Sequence, residues 1–238
     1  MGDLRVEISA KRVRAYFGGE LVADTTAPRL VWEVPYYPAY YLPLSSVRVE
    51  LKPTGETKDG GLVHDVVTRG GTAGGAALTY PDSPDLRDLV RFEFGAMDEW
   101  LEEDEPIYVH PRDPYKRVDV LNSSRHVRIA LDGVTLAAST QPRILFETSL
   151  PPRFYLPLSD VRFDLLRSSD TQTRCPYKGT ADYWSVEVGG VVHEDVVWIY
   201  RSPLPESQKV AGMACFYSEK VDLFLDGELQ EKPKTPWS

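Results

Sequence analysis

The stretch "VRAYFGGELVADTTAPRLVWEVPYYPAYYLPLSSVR", residues 13–48, returns later in the chain as "VRIALDGVTLAASTQPRILFETSLPPRFYLPLSDVR", residues 127–162. The two stretches align without a gap at an offset of 114 residues, and 16 of their 36 positions are identical. Solenoid repeats have periods of about 20–50 residues. An offset of 114 is therefore that of complete domains, and the 238-residue chain contains two copies of one domain.

Both copies have the pattern of antiparallel β-structure. Alternating strand pairs are interrupted by hairpin turn residues at Gly18–Gly19, Asp132–Gly133, Gly189–Gly190 and Asp226–Gly227. Short apolar strands follow a proline in "RLVWEV" and "RILFET", while "SVRVEL" and "DVRFDL" alternate as strands do. We expect a mainly β fold of two tandem homologous small antiparallel β domains, each a curved sheet or partial barrel.

The domain boundaries follow from the repeat and from the composition between its copies. Residues 1–105 are assigned to the first domain and residues 125–238 to the second. The segment between them, "PIYVHPRDPYKRVDVLNSS" (106–124), is rich in aromatic residues and arginine, so we expect an ordered linker. Residues 85–104 are the only segment with a weak helical period.

Composition and charge argue against several classes of function. The formal net charge is −9, which disfavours nucleic acid or an anionic membrane as a partner. No apolar run approaches the roughly 20 residues of a membrane span, and the N-terminus lacks a secretory pattern, so we expect a cytoplasmic protein. The two cysteines are forty residues apart and outside any CxxC pair, so we expect no zinc site, no other metal site and no cofactor.

The two copies differ most in one motif, the "CPYKG" that begins at Cys175. Aligning the Gly-Gly pairs 70–71 and 189–190 places "ETKDGGLVHDVVTRGG" (56–71) opposite "CPYKGTADYWSVEVGG" (175–190). The second copy alone then carries the motif. A purely structural motif would be expected in both copies, so this difference favours a ligand-binding role for the motif.

Several segments together resemble domain-of-unknown-function family 427: "PRILFE", "FYLPLSDV", "CPYKGTADYWSV", "VVWIY" and "VDLFLDGE". The segment "HPRDPYKRVDVLNSSRHVRI" resembles the connection between the repeats of the family's tandem members. The resemblance covers nearly the whole chain. It implies a compact β fold of the β-tent kind, related to zinc-ribbon-like folds but without their metal. The family carries a nucleotidyltransferase-like label, but the resemblance implies no established reaction.

Lys178 is the candidate with the most chemistry in the motif. A lysine beside Tyr177, Tyr183 and Trp184 could lose its water shell and act as an acid, a base or a Schiff-base amine. It could also hold an anionic ligand, or it could pair with Glu147 or Asp182 for structure alone. Cys175 would need a nearby histidine or cation to act as a nucleophile, and His193 is the plausible one in this copy.

A second candidate set is retained in both copies. Arg143, Glu147 and Tyr155 match Arg29, Glu33 and Tyr41, and Tyr200 matches Tyr80. Residues four apart on a strand face the same side. We expect an ion pair between Arg143 and Glu147 that holds the sheet, with a pocket wall as the alternative.

The linker contains a third candidate group in "HPRDPY", residues 110–115. His110 and Arg112 lie there beside Asp113 and Tyr115, a combination that can bind phosphate or carboxylate and transfer a proton. The alternative is a clasp between the domains. If the chain has a site, a cleft between this segment and the second domain is where we expect it.

These observations favour a small-molecule-binding protein with its pocket in the second domain near the junction. The ligand would be anionic or polar-aromatic, and we expect no nucleic-acid or membrane partner. One alternative is an enzyme that uses Lys178 and Glu147 as acid and base in the same pocket. Another is an interaction scaffold that uses "VPYYPAYYLP" (34–43). The ligand-binding candidates are Arg143, Tyr155, Cys175, Tyr177, Tyr183, Trp184, Tyr200, His110 and Arg112.

Overall fold

The computed structural model describes residues 4–235, and the chain divides into two compact units, Met1–Asp113 and Pro114–Ser238. The strands of the first unit are β1 Arg5–Ile8, β2 Val13–Phe17, β3 Glu20–Thr25, β4 Arg29–Val34, β5 Tyr37–Pro43, β6 Glu50–Lys58, β7 Gly61–Thr68, β8 Gly71–Thr79, β9 Leu89–Phe92, β10 Glu99–Glu102 and β11 Glu105–Ile107. Those of the second unit are β12 Val118–Asn122, β13 Val127–Leu131, β14 Val134–Ser139, β15 Arg143–Glu147, β16 Arg153–Leu156, β17 Leu166–Cys175, β18 Gly179–Val188, β19 Val191–Ile199, β20 Ala214–Phe216, β21 Asp222–Leu225 and β22 Glu228–Leu229. Short 3₁₀ helices occupy Leu44–Ser46, Phe94–Ala96, Leu158–Asp160, Phe163–Leu165 and Pro205–Val210.

The two units have the same topology. In the first unit a seven-stranded sheet has the order β1-β4-β5-β9-β8-β7-β6, and a four-stranded sheet has the order β11-β10-β2-β3. In the second unit the orders are β12-β15-β16-β20-β19-β18-β17 and β14-β13-β21-β22. Every strand pair is antiparallel, and within residues 4–235 no sheet closes into a barrel. The expected fold class, mainly β with two tandem antiparallel domains, is confirmed.

The hairpin turns explain why the sequence folds locally as it does. At Asp132–Gly133 and Gly189–Gly190 both central residues have positive φ, as they do at Gly18–Gly19 and Asp226–Gly227. Type I′ turns require positive φ at both positions, and Gly, Asp and Asn tolerate it best. These four turns are where the sequence predicts them.

The central strands of each large sheet are buried on both faces, while the outer strands β6 and β17 are mostly exposed. In the second unit one face packs on the four-stranded sheet through a core that includes Ile129, Val197 and Leu223. The opposite face carries an aromatic and sulfur-rich cluster that includes Trp198 and Cys215. The 3₁₀ helix Pro205–Val210 packs on this cluster through Val210. The candidate site lies on this second face.

Two local expectations are wrong. In "DVRFDL" residue 160 ends one 3₁₀ helix, residues 163–165 form another, and Val161 forms a single bridge with Ala137. In "SVRVEL" only Glu50 and Leu51 belong to a strand. In each segment one apolar residue, Val47 or Val161, forms a single bridge with a neighbouring strand, whereas a strand needs a continuous ladder of such pairs. The weak helical period at 85–104 corresponds to β9, one 3₁₀ turn and β10.

None of the helices in the described residues is long and apolar enough to cross a membrane.

Candidate functional site

The CPYKG motif lies in an extension of one β-hairpin. In the first unit β6 and β7 pair up to Lys58 and Gly61, and the turn between them is Asp59–Gly60. In the second unit the matching pair is Thr173 and Ala181, and pairing continues as far as Cys175 and Gly179. Residues 174–180 therefore stand where the first copy has a two-residue turn. We call residues 174–180 the hairpin extension.

The alignment of the Gly-Gly pairs is wrong by one residue. The β7–β8 turn is Arg69–Gly70, because Thr68 pairs with Gly71, whereas the β18–β19 turn is Gly189–Gly190. The adjacent glycines of the first copy thus lie one position later than its turn, and matching glycine to glycine shifts the alignment. In the correct register the motif has no counterpart at 56–59, because the first copy lacks the segment rather than having different residues there.

The hairpin extension is fixed to the rest of the second unit at its tip. The Leu204 amide donates to the Lys178 carbonyl at 3.1 Å. Gly179 has φ +95, a conformation that L side chains rarely adopt, so glycine is needed there. Pro176 and Tyr177 are buried. The tip is therefore an ordered part of the unit.

Lys178 forms an ion pair with Glu147 of β15, between Nζ and Oε2. The lysine side chain is 15% exposed and the glutamate side chain 9%, so both charges are largely removed from water. Burial opposes the ammonium charge, but Cys175 and Glu147 outweigh burial and raise the pKa of Lys178 above its ordinary value. The lysine is therefore a cation at neutral pH. Asp182, the other partner that the sequence allows, bonds Gln172 and Arg201 instead.

Aromatic and sulfur side chains surround this pair. Tyr155 is 1% exposed, and its hydroxyl accepts a hydrogen bond from Trp198 Nε1 at 3.1 Å. Burial raises the pKa of Tyr155 and of Tyr200 well above the ordinary value. Cys215 is fully buried, which raises the pKa of its thiol to about 12. These three groups are neutral at neutral pH, and the charged groups near them are Lys178 and Glu147 and, beside Cys215, Arg153 and Glu219.

The structure separates Tyr183 from Trp184. Tyr183 belongs to the cluster with Trp198 and Tyr200, and its hydroxyl lies 3.0 Å from Thr173 Oγ1. Trp184 packs on the opposite face of the sheet, against the core between the two sheets. Successive strand residues point to opposite faces, so Trp184 does not join the group around Lys178.

The expected ion pair between Arg143 and Glu147 is absent from the described residues. The Arg143 guanidinium donates to the Lys209 carbonyl, while Glu147 pairs with Lys178. Residues four apart on a strand face the same side, but their backbone positions lie about 13 Å apart. The predicted ion pair is wrong because the prediction considered which side of the strand the two side chains face and not how far apart the two residues lie along it.

His110 and Arg112 belong to the first unit. The His110 ring stacks on Tyr37, with ring centroids 4.1 Å apart, and burial lowers the pKa of this histidine. Arg112 lies 3.5 Å from Glu102, which is 3% exposed. The site that we expect between this segment and the second domain stays a prediction.

The two cysteines have different surroundings, and neither forms a disulfide. Cys175 is half-buried beside Lys178, whereas Cys215 is in the core, as its apolar segment predicts. His193, the expected partner of Cys175, contacts Asp132 at 3.2 Å. Within residues 4–235 no group of three or more His, Cys, Asp and Glu side chains is arranged to hold a metal ion.

The first unit has a related arrangement that was not predicted. Glu33, the counterpart of Glu147, lies 2.7 Å from Arg91 Nε and accepts a hydrogen bond from the Tyr41 hydroxyl at 2.5 Å. Arg91 of β9 is the backbone partner of Tyr41 on the neighbouring strand β5, as Cys215 of β20 is the partner of Tyr155 on β16. Each copy therefore places a cation beside the retained glutamate, from β9 in the first copy and from the hairpin extension in the second. Extending the alignment to Phe92 and Phe216 would have shown that Arg91 stands where the second copy has Cys215, but not that it contacts Glu33.

Comparison with known proteins gives one family match. The model of a family described as "Domain of unknown function (DUF427)" matches residues 5–103 and again residues 119–227. These two ranges correspond to the two copies of the domain. None of the curated proteins compared with the chain matches it.

Proposed function

The chain belongs to the DUF427 family as a member with two copies of the domain, and we propose that it is a small-molecule-binding protein. The proposed site lies in the second unit around Lys178. Its ligand is a small molecule that is anionic, or polar and aromatic. Lys178 holds the ligand, Cys175 lies beside the ammonium, and Tyr177 and Tyr200 are the aromatic side chains that we propose as the rest of the lining.

The observation that carries this proposal is the hairpin extension. The first copy closes the same hairpin with Asp59–Gly60 and keeps the same strand order. The strand order therefore does not require residues 174–180, although the cation that Lys178 brings to Glu147 is supplied to Glu33 by Arg91 in the first copy. A segment that the architecture can omit, and that brings a lysine to a buried carboxylate, is better explained by binding than by folding.

The energetics of the ion pair support the same conclusion. Two charges that are taken out of water lose solvation, and their attraction often does little more than offset that loss. Apolar side chains of similar volume would close the unit as well. Buried charge pairs with perturbed pKa values are concentrated at functional sites.

The protonation state of Lys178 favours binding over proton transfer. An ammonium has three N–H donors, and Glu147 and Cys175 accept two of them. Within residues 4–235 no other acceptor bonds this ammonium, and the third donor is the one that we propose for an anionic or polar group of the ligand. A general base or a Schiff-base amine must first lose its proton, and the raised pKa of Lys178 opposes that loss. The acid–base alternative is therefore the weaker one.

The remaining candidates divide by position. Tyr155 and Tyr183 support the aromatic cluster behind the site, while Trp184 and Arg143 lie outside it. The interaction scaffold at residues 34–43 would offer less exposed aromatic surface to a partner than its sequence suggests, because Tyr40 and Tyr41 are buried. We also propose a cytoplasmic location, on the basis of the two unpaired thiols.

Native mass spectrometry of the full chain after incubation with a metabolite extract tests this proposal. We expect a retained small molecule with the wild-type chain and its loss in Lys178→Met. Lys58→Met is the matched control, because Lys58 pairs with Glu93 at an exposed position, and it should retain the molecule. Equal retention by Lys178→Met would contradict the proposal.

A further inference from the structure

The first unit contains a cavity of about 360 Å³. It lies at one end of the seven-stranded sheet, where β4 ends, β5 begins and β9 ends, and residues 109–111 line another side. Small-molecule pockets span about 300–1,000 Å³, so this cavity has room for one ring system with a short substituent. Neither the family match nor the proposed function assigns a role to it.

Aromatic rings form two walls of the cavity. Tyr37 stacks on His110, and Phe94 stacks on Trp100 with ring centroids 5.1 Å apart and an interplanar angle of 7°. Tyr37 is 43% exposed, so part of its ring is available to a ligand. Stacked rings offer flat surfaces that suit a planar molecule, and their faces attract cations.

The charged side chains that line the cavity are two carboxylates and one guanidinium. Arg91 contacts Glu33 through Nε at 2.7 Å and Glu93 through Nη1 at 2.9 Å. Both contacts use the Oε1 atom of the glutamate, as do the hydrogen bonds from Tyr41 and Lys58. Among the described residues no hydrogen bond uses the Oε2 atom of either glutamate. The lining therefore has acceptor capacity, and its own charged side chains carry one more negative than positive charge, while the Lys58 ammonium outside the lining is bound to Glu93.

The second copy has a built-in cation at the equivalent place. Ala39 of the first copy corresponds to Arg153, because Ala39 pairs with Val31 as Arg153 pairs with Leu145. The Arg153 guanidinium lies 5.6 Å from the Trp198 ring centroid and pairs with the buried Glu219. A guanidinium between aromatic rings and a carboxylate thus fills this end of the second unit. The small Ala39 side chain leaves the corresponding space open in the first.

From this comparison we propose that the cavity of the first unit binds a small flat organic cation of the amidinium or guanidinium type. The cationic group lies against Glu33 and Glu93, and the flat body lies along the Tyr37 wall. The ligand takes the place that Arg153 occupies in the second copy. This site is separate from the one around Lys178.

Benzamidine is the probe that tests this site, with benzamide and benzoate as neutral and anionic controls of the same shape. NMR titration of the full chain should give shift changes at residues of the first unit, with a dissociation constant on the order of 1 mM for a ligand of this size. Benzamide and benzoate should bind at least about ten-fold more weakly, because they lack the charge-assisted hydrogen bonds.

Two variants and one control make the test specific. Glu93→Gln should weaken benzamidine at least about ten-fold, and Ala39→Arg, which installs the side chain of the second copy, should abolish binding. Glu50→Gln removes an exposed carboxylate outside the cavity and should leave binding unchanged. Equal binding of benzoate, or shift changes that persist in both Glu93→Gln and Ala39→Arg, would overturn the proposal. So would the absence of shift changes in the first unit of the wild-type chain.

Discussion

The ion pair between Lys178 and Glu147 allows a quantitative prediction about stability. In Lys178→Met the Glu147 carboxylate, 9% exposed, loses its cation and stays buried. Breaking a buried pair by removing one partner costs about 3–5 kcal/mol. Lys178→Met should therefore lower the free energy of unfolding of the second unit by about this amount, because the remaining charge is uncompensated.

A double-mutant cycle separates the pair from its surroundings. Glu147→Leu alone leaves the ammonium with Cys175 as its remaining partner and should also be strongly destabilising. The double variant has no buried charge, so it should recover much of the loss, with a coupling of about 2 kcal/mol. Lys58→Met is the exposed control, since Lys58 is 57% and Glu93 29% exposed, and it should cost less than about 1 kcal/mol.

The assay is denaturant-dependent hydrogen exchange, which follows the amides of β17–β19 separately from those of the first unit. This separation is needed because a chain of two units need not unfold in one step. The reasoning is refuted if Lys178→Met costs no more than Lys58→Met, or if the double variant is as unstable as the sum of the single ones.

Three further predictions concern the second unit. Burial alone would raise the pKa of Glu219, but hydrogen bonds from Arg153 and Thr235 outweigh burial and lower that pKa to about 2. The stability that this carboxylate contributes is therefore present above pH 4.5 and is lost as the pH falls towards 2. Urea unfolding at several pH values should show this decrease in the free energy of unfolding. In Glu219→Gln this part of the pH dependence should be absent. Gly179→Ala should cost about 1–2 kcal/mol because of its positive φ, whereas Gly95→Ala, with no neighbouring atom within 4 Å of the added carbon, should be nearly neutral in thermal unfolding. Replacing residues 174–180 by Asp-Gly should leave a folded chain with the same β-sheet circular dichroism, but one destabilised by about the 3–5 kcal/mol expected for Lys178→Met, because Glu147 again loses its cation.

The sequence predicts the fold well because the repeat and the turns carry strong local information. Gly18–Gly19 and Asp132–Gly133 form tight turns whatever surrounds them, and the matching strands fix two equivalent domains. The 160–165 segment is mispredicted because its alternation reports only the spacing of apolar residues, of which Phe163 is 46% exposed. It does not report whether a neighbouring strand is present to pair with them.

The site could be predicted only in part. Lys178 and Glu147 are both candidates from the sequence, and the structure joins them. The error over Arg143 was avoidable from the sequence, because residues four apart on any strand lie about 13 Å apart along the backbone even though they face the same side. The role of Arg91 depends on the pairing of β5 with β9, which are far apart in the chain. Such long-range registers are set by tertiary packing and leave no local signal.

Binding by a chain with a shortened hairpin tests the central claim most directly. The wild-type chain and the variant with Asp-Gly in place of residues 174–180 are incubated with the same metabolite extract and compared by native mass spectrometry. The proposal predicts a small molecule that the wild-type chain retains and the folded variant does not. Retention of the same molecule by both chains would contradict it.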